Sequence, residues 1–308
     1  MRTNIMMNPL LAPEQIERLL DSLDRIASAL EASPSAKPEQ SIDFSQAFAY
    51  RWQRSNGINH VPHLIAVTAP QLIGFDQLCN IEQQIERLHQ NTLQFVRGYP
   101  ANNALMTGAR GTGKSSLVRA CLDAFHQQGL RLIEVEKQHL DDLPLIIELV
   151  CQRPERFIVF CDDLSFEDGE HHYKALKTVL DGSVAGAAAN VLIYATSNRR
   201  HLVTEKMADN LEHRKDNQGE IHPSDSLEEK ISLSDRFGLR LHFYSFSQDE
   251  YLTAVTQWVK SFGFTMNDSV REEALRWATE HGSRSGRIAL QFARDYAGRA
   301  LLKNAGPL

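Results

Sequence analysis

The sequence predicts an α/β domain, with a parallel sheet covered by helices on both faces, followed by a small all-α domain. Three observations carry this expectation. Short apolar runs alternate with stretches of helical period between Ala69 and Phe246. A glycine-rich loop, Gly108-Ala109-Arg110-Gly111-Thr112-Gly113-Lys114-Ser115, sits between the first of these runs and a helical stretch. From Ser247 onward, apolar residues recur at helical spacing only.

The elements follow in order. Pro13 to Ala32 reads as a helix with a heptad-like seam of Ile16, Leu19, Leu23, Ile26 and Leu30, and Leu20 beside it. The seam is too short to define a coiled coil, and it suits packing on its own protein or association with a partner. Ser33 to Ser41, rich in Ser and Pro, reads as a linker. Phe44 to His63 carries Phe48, Tyr50, Arg51, Trp52 and Arg54 and is expected to pack against the next domain, with partner contact the alternative. A helix is expected over Gln77–Val96, with Leu78, Ile81, Ile85 and Leu88 on one side.

The first strand is Ala104-Leu105-Met106, and the helix after the loop carries Leu117, Cys121, Leu122 and Phe125. Strands are then expected at Arg131–Val135, Arg156–Cys161, Asn190–Ala195 and Gly238–Phe246, and helices at Pro144–Val150 and His171–Leu180. The polar stretch Glu205–Glu229 reads as a long insertion. Beyond it, Ser247-Gln248-Asp249-Glu250 is a capping box, and helices follow over Asp268–His281 and Gly286–Lys303. The chain is thus divided into an N-terminal region 1–64, an α/β domain 65–246 and a helical domain 247–308.

Bulk properties exclude several classes. The chain has 308 residues, 42% of them hydrophobic, which suffices for a real core. A net charge of −6 gives no global attraction to nucleic acid or acidic membranes. The four cysteines, Cys79, Cys121, Cys151 and Cys161, lack metal-ligand spacing and read as free thiols of a reducing compartment. No apolar run is long enough for a membrane span, and the N-terminus has no charged segment leading into an apolar one. A cytoplasmic location is the expectation.

The loop fits G-x-x-x-x-G-K-[ST] at every specified position. Such a loop turns backbone N–H groups toward phosphates, brings a lysine to the β/γ-phosphates and offers a hydroxyl to Mg²⁺; the helix after it adds its dipole to the anion site. A random chain of this length matches the pattern only about 1% of the time, and here the strand and helix that the chemistry needs flank it. Further along, the strand 156–161 ends in Asp162-Asp163. The first acid suits a magnesium ion or its water, and the second suits orienting or deprotonating an attacking water. Asn198, in Thr196-Ser197-Asn198-Arg199-Arg200, suits holding that water or a γ-phosphate. Arg236, in Ser234-Asp235-Arg236-Phe237, is placed to project toward a neighbour's triphosphate, and Arg287 opens the last helix, with Arg284 its competitor.

The order P-loop, Asp162-Asp163, Asn198, Arg236 and Arg287 resembles the AAA+ ATPases over roughly residues 65 to 303. The strings GARGTGKSSLVRA, FIVFCDDLSFEDG, YATSNRRHL and SLSDRFGL are similar to a bacterial AAA+ group, the domain of unknown function 815 family. The resemblance implies a five-stranded parallel sheet in 5-1-4-3-2 order with a helical lid, ATP and Mg²⁺ as ligands, and homo-oligomers with sites at subunit interfaces. It implies that Gly108 to Ser116 contact nucleotide, with Lys114 and Ser115 central and Ser115 and Asp162 at the metal. Asp162 and Asp163 become the Walker B acids, Asn198 sensor 1, Arg236 the arginine finger and Arg287 sensor 2. Leu72-Ile73-Gly74 resembles the segment that packs on adenine. Many members of the superfamily carry Asp-Glu where this chain has two aspartates.

Three uses of such a site compete: remodelling or assembly of a macromolecular client, loading or initiation on DNA, and a switch that binds ATP without turnover to recruit a partner. Protein translocases place an aromatic–hydrophobic–glycine loop after the second strand. Here Glu136 to Asp142 has neither aromatic nor glycine, which argues against threading a polypeptide. A P-loop kinase would leave the sensor and lid residues without a purpose.

Overall fold

The structure, a computed structural model, describes residues 17–18, 22, 25, 42–54, 63–164, 172–181, 188–198, 214–215, 221–222 and 233–305. The chain divides into two compact units, Met1–Asp43 and Phe44–Leu308. In the first, the helix expected over Pro13–Ala32 lies outside the described residues except at Glu17, Arg18, Ser22 and Arg25, which are helical and exposed. The linker at 33–41 lies outside them as well.

The second unit begins with two strands, β1 (Ala49–Gln53) and β2 (His63–Ala66). Helix α1 (Glu82–Val96), strand β3 (Ala104–Gly108) and helix α2 (Lys114–Phe125) follow. Then come β4 (Leu130–Glu134), α3 (Leu143–Val150), β5 (Arg156–Cys161), α4 (His172–Asp181) and β6 (Val191–Ser197). Within the expected insertion, only a short antiparallel pair is described, β7 (Arg214–Lys215) and β8 (Ile221–His222). Strand β9 (Leu239–Phe243) precedes three helices, α5 (Gln248–Ser261), α6 (Asp268–Glu280) and α7 (Gly286–Ala305).

The main sheet runs β2-β1-β4-β5-β6-β3-β9. Its last five members, read from β9, give the expected 5-1-4-3-2 order, and every pair among them is parallel. The expectation of five strands is corrected to seven, and the sheet is mixed. Strand β1 adds parallel to the edge of β4, and β2 pairs antiparallel with β1. Strand β1 falls on the N-terminal side of the boundary drawn at 64/65, and β2 straddles it. An edge strand leaves backbone donors and acceptors unpaired, and β1 satisfies those of β4. Its alternation puts Tyr50 and Trp52 in the core and Arg51 and Gln53 outside.

Side chains then anchor the addition. The Phe44 ring meets Phe157 and Tyr50 edge-on, each at 4.9 Å between centroids. Trp52 Nε1 donates to Asp142 Oδ2 at 2.9 Å, and Arg54 donates to both Asp142 oxygens. Burial would raise the Asp142 carboxyl, but the hydrogen bonds from Arg54 and Trp52 outweigh it and hold it below its ordinary value. This ties the 3-10 segment Lys137–Asp142, which follows β4, to the added strand.

Both faces of the sheet are covered, which accounts for the near-continuous apolar runs. Ile158 and Phe160 join a core cluster with Leu88 and Phe95 of α1 and Leu117, Cys121 and Phe125 of α2, while Phe157 and Val159 on the other face are fully buried too. Within that core the Tyr194 hydroxyl bonds Thr92 Oγ1 at 2.9 Å and accepts from Asn91 Nδ2 at 3.1 Å, so the buried oxygen is satisfied. Cys121 and Cys161 are buried and free, their thiols pushed up to about 12 by burial. Cys79 and Cys151 are half-buried and free.

The three C-terminal helices have a core of their own, including Tyr251, Val255, Val259, Ala274 and Phe292. The capping box forms as expected: Ser247 Oγ accepts from the Glu250 N–H at 3.2 Å, and Glu250 Oε2 accepts from the Ser247 N–H at 2.6 Å. Helix α5 also clasps the segment before α1. Asn80 Nδ2 donates to Glu250 O at 2.9 Å, Gln257 Nε2 to Asp76 O at 2.5 Å, and Cys79 Sγ to Gln257 Oε1 at 2.6 Å. Among the described residues, no helix is long and apolar enough to cross a membrane.

Candidate functional site

Strand β3 lies between β6 and β9, so its C-terminal end is flanked by both. The loop Gly108–Gly113 leaves this end and turns into α2 at Lys114. Open parallel sheets place ligands outside the carboxyl ends of their strands. At two of its glycines the loop has no room for a side chain. At Gly108, with φ at +130°, an added Cβ would lie 1.9 Å from Phe243 O. At Gly111, with φ at +74°, it would lie 2.7 Å from Ser285 Oγ and 3.1 Å from Arg287 Cβ.

Lys114 is 5% exposed, and its ammonium donates to Gly108 O at 2.8 Å, Ala109 O at 2.7 Å and Asn198 Oδ1 at 2.9 Å. Burial lowers its pKa to about 8; Asp162 and Asp163 oppose the shift, and Arg287 and Arg110 add to it. All three acceptors are oxygens curled around a cation, and phosphate oxygens can replace them.

The two acids at the end of β5 have different neighbours. Ser115 Oγ donates to Asp162 Oδ1 at 2.7 Å. Asn198 Nδ2 donates to Asp163 Oδ1, while its own Oδ1 holds Lys114, so one amide joins the P-loop lysine to the second acid. Asp163 itself is in the left-handed region, with φ at +52°, a conformation that aspartate tolerates better than most residues. Thr196, not singled out from the sequence, bonds both acids: Oγ1 donates to Asp162 Oδ1 at 2.5 Å and accepts from the Asp163 N–H at 2.9 Å. Its signal was its place two residues before Asn198, on the strand beside β5.

The helical lid closes on the loop through the start of α7. The Arg287 N–H donates to Gly111 O at 3.2 Å, and an added Cβ on Gly286 would lie 3.3 Å from the same oxygen and 3.7 Å from the Phe246 ring. A cleft of about 570 Å³ between lid and loop is lined by residues including Ala109, Arg110, Phe246, Thr279, Ser283 and Arg284. Arg284 therefore faces this cleft, and Arg287 stands on the loop itself.

Lys114, Ser115, Asp162, Asp163 and Asn198 are thus brought together, and Arg287 adjoins them. Arg236 is held apart from this set: its Nε donates to Asp181 Oδ1 at the end of α4. Ile73 and Gly74 are half-buried; the Gly74 N–H donates to Gln77 Oε1 at 3.1 Å, and the segment reaches the lid through Asp76 and Gln257.

A P-loop after β3, the second strand across a 5-1-4-3-2 core, paired acids just past β5, an amide just past β6, the strand between them, and a three-helix lid define the AAA+ class of P-loop nucleotide-binding proteins. Within that class, residues 45–300 match the family described as Protein of unknown function (DUF815), and the chain belongs to it. No curated protein matches the chain. Solved structures that it resembles include the RuvB Holliday junction branch migration motor of Thermotoga maritima, with 13% identity, a TM-score of 0.48, and coverage of 72% of this chain and 63% of that one. The AAA domain of FIGL-1 in complex with ADP has 16% identity and a TM-score of 0.47, with 74% of each chain covered. The ORC1 protein of Aeropyrum pernix in complex with DNA has 16% identity and a TM-score of 0.48, covering 73% of this chain and 61% of that one. The chain spans less than two thirds of the RuvB chain.

Proposed function

We propose that this chain binds ATP with Mg²⁺ and hydrolyses it at a site completed by a neighbouring copy, and that hydrolysis drives remodelling or assembly of a macromolecular client. The observation that carries the reading is the bonded set at the carboxyl ends of β3, β5 and β6: Lys114 to Asn198 to Asp163, with Ser115 on Asp162. In it, a buried ammonium, an alcohol and two carboxylates meet the needs of a triphosphate and a hard divalent cation.

The roles follow from the bonds. Lys114 leaves Gly108 O, Ala109 O and Asn198 Oδ1 and transfers its donors to phosphate oxygens, while N–H groups of the loop from Gly108 to Ser116 face the same oxygens. Ser115 Oγ and Asp162 are the residues that would hold Mg²⁺. The bound ion would neutralise charge on the β- and γ-phosphates. Asp163 accepts the proton of the attacking water, and Asn198, freed from Lys114, orients that water. Arg287 reaches the γ-phosphate from the lid, and Arg236 reaches it from the adjacent subunit. Ile73 and Gly74 lie against the base. Asp163 is one methylene shorter than glutamate, so the attacking water has to lie correspondingly nearer the end of β5. The segment 137–142, fixed to β1 through Asp142, has the form of a packed turn rather than a protruding loop, which supports a client that is not threaded.

The test is Mg²⁺-ATP hydrolysis per subunit as protein concentration is raised from nanomolar to tens of micromolar. A specific rate that climbs and saturates supports sites shared between subunits. A near-zero rate at every concentration, with ATP bound, rejects turnover by this chain alone and leaves an ATP-binding switch.

A further inference from the structure

We propose that Thr196 is a positioning residue for the acid pair: its hydroxyl fixes which oxygen of Asp162 meets Mg²⁺ and where Asp163 points. The proposal rests on the ATPase reading above and deepens it at the same site. Thr196 is 1% exposed, so it cannot itself meet substrate.

The hydrogen-bond directions leave no freedom. A backbone N–H only donates, so the Asp163 N–H at 2.9 Å takes a lone pair of Thr196 Oγ1. The single hydroxyl proton must then go elsewhere, and the Asp162 carboxylate is its acceptor. Ser115 Oγ donates to that same oxygen, Oδ1. With Oδ1 holding two donors, Oδ2 is the oxygen left for Mg²⁺ or its water. Asp163 is supported on both sides, because the Thr196 carbonyl accepts from the Leu164 N–H at 2.7 Å. The β5–β6 pairing runs through Cys161 and Ala195, so these bonds extend it by one step through a side chain. They hold the chain where Asp163 turns left-handed. The reason for threonine is then chemical: valine has the same shape without the hydroxyl, and serine keeps the hydroxyl without the methyl.

The experiment compares wild type, Thr196→Val and Thr196→Ser, using a fluorescent ATP analogue titrated in Mg²⁺ and in EDTA, kcat and KM against Mg²⁺ concentration, and thermal unfolding. For Thr196→Val we expect unchanged affinity in EDTA and a Mg²⁺ requirement raised about tenfold. We also expect kcat lowered by about 10–100-fold with KM for ATP held, the range for lost partners of metal ligands. Thr196→Ser should return both to within about threefold, since it keeps both hydrogen bonds. Wild-type Mg²⁺ dependence and kcat in Thr196→Val overturn the proposal and leave the ATPase reading intact. So does an equal loss of affinity in Mg²⁺ and EDTA together with a lower Tm, which marks a purely structural threonine. A wild-type protein that binds no nucleotide, or whose affinity ignores Mg²⁺, overturns the metal-dependent ATPase reading and this proposal with it.

Discussion

The lid and the Arg236 segment each bring an arginine to the proposed ATPase, and the two are held in different ways. Arg287 is built in: its N–H is on Gly111 O, the neighbouring Gly286 fills the space between the loop and Phe246, and the clasp from α5 to Asp76, Cys79 and Asn80 keeps the lid on the core. Arg236 is instead paired with Asp181, an acid 45% exposed at the end of α4. A partly exposed ion pair of this kind contributes about 0–1 kcal/mol, so the proposed move of Arg236 to a triphosphate of another copy gives up little at this pair. In the proposed function, one half of the site is assembled by the folding of a single chain, and the other half comes from a neighbour.

The largest effect expected is from Lys114→Ala. It removes the charge-assisted bonds that a phosphate would take over, each contributing about 1.5–3 kcal/mol; nucleotide affinity measured by calorimetry should fall by more than about 100-fold and hydrolysis should vanish. Arg236→Ala separates the two regions: ATP should still bind, with turnover down by about 10³-fold or more. Mixing it with Asp163→Asn should partly restore activity, since one interface then carries an intact acid and an intact arginine. Failure of that mixture to recover would falsify the shared interface. Asp163→Asn alone should keep ATP affinity and lower kcat by about 10²–10⁴-fold, the span of a lost general base.

Smaller changes sharpen the comparison further. Burial brings Lys114 from 10.5 in the unfolded chain to about 8 in the folded one. Between those values the unfolded chain holds more protons at this position, so this group's contribution to stability rises with pH across the window. ATP binding has the opposite slope, because phosphates need the ammonium, and affinity should fall about tenfold from pH 7 to pH 9. A flat affinity profile would place the titration elsewhere. The smallest effect is Asp181→Asn, which removes the ion pair with Arg236: the protein concentration for half-maximal ATPase should drop by no more than about fivefold. An increase would mean that Asp181 helps to present the arginine.

Much of this was legible in the residues. The loop, the five parallel strands and the three lid helices are local patterns, set by apolar period and by capping, and the structure gives them nearly at the expected bounds. The strand order followed from the resemblance rather than from any local signal. Strand β1 was read only as part of a packed aromatic segment, since Tyr50-Arg51-Trp52-Gln53 is too short an alternation to name its partner, and β2, beyond His63, was assigned no element. The cluster itself was visible as separate motifs. Thr196 was passed over because its function lies in bonds to residues more than thirty positions away, and Asp181 was missed because nothing in a helix end announces an arginine distant in sequence.

By itself the sequence determined which groups are available: the glycines that let the loop turn, the lysine, the hydroxyl, the paired acids, the amide and the two arginines. These are properties of residue type and near-neighbour spacing. Only the tertiary structure decided which of them touch, because contacts between β3, β5, β6 and the lid depend on strand order and helix packing. That is why Asn198 joins Lys114 to Asp163, why Thr196 spans both acids, and why Arg287 rests on the loop while Arg236 rests on Asp181.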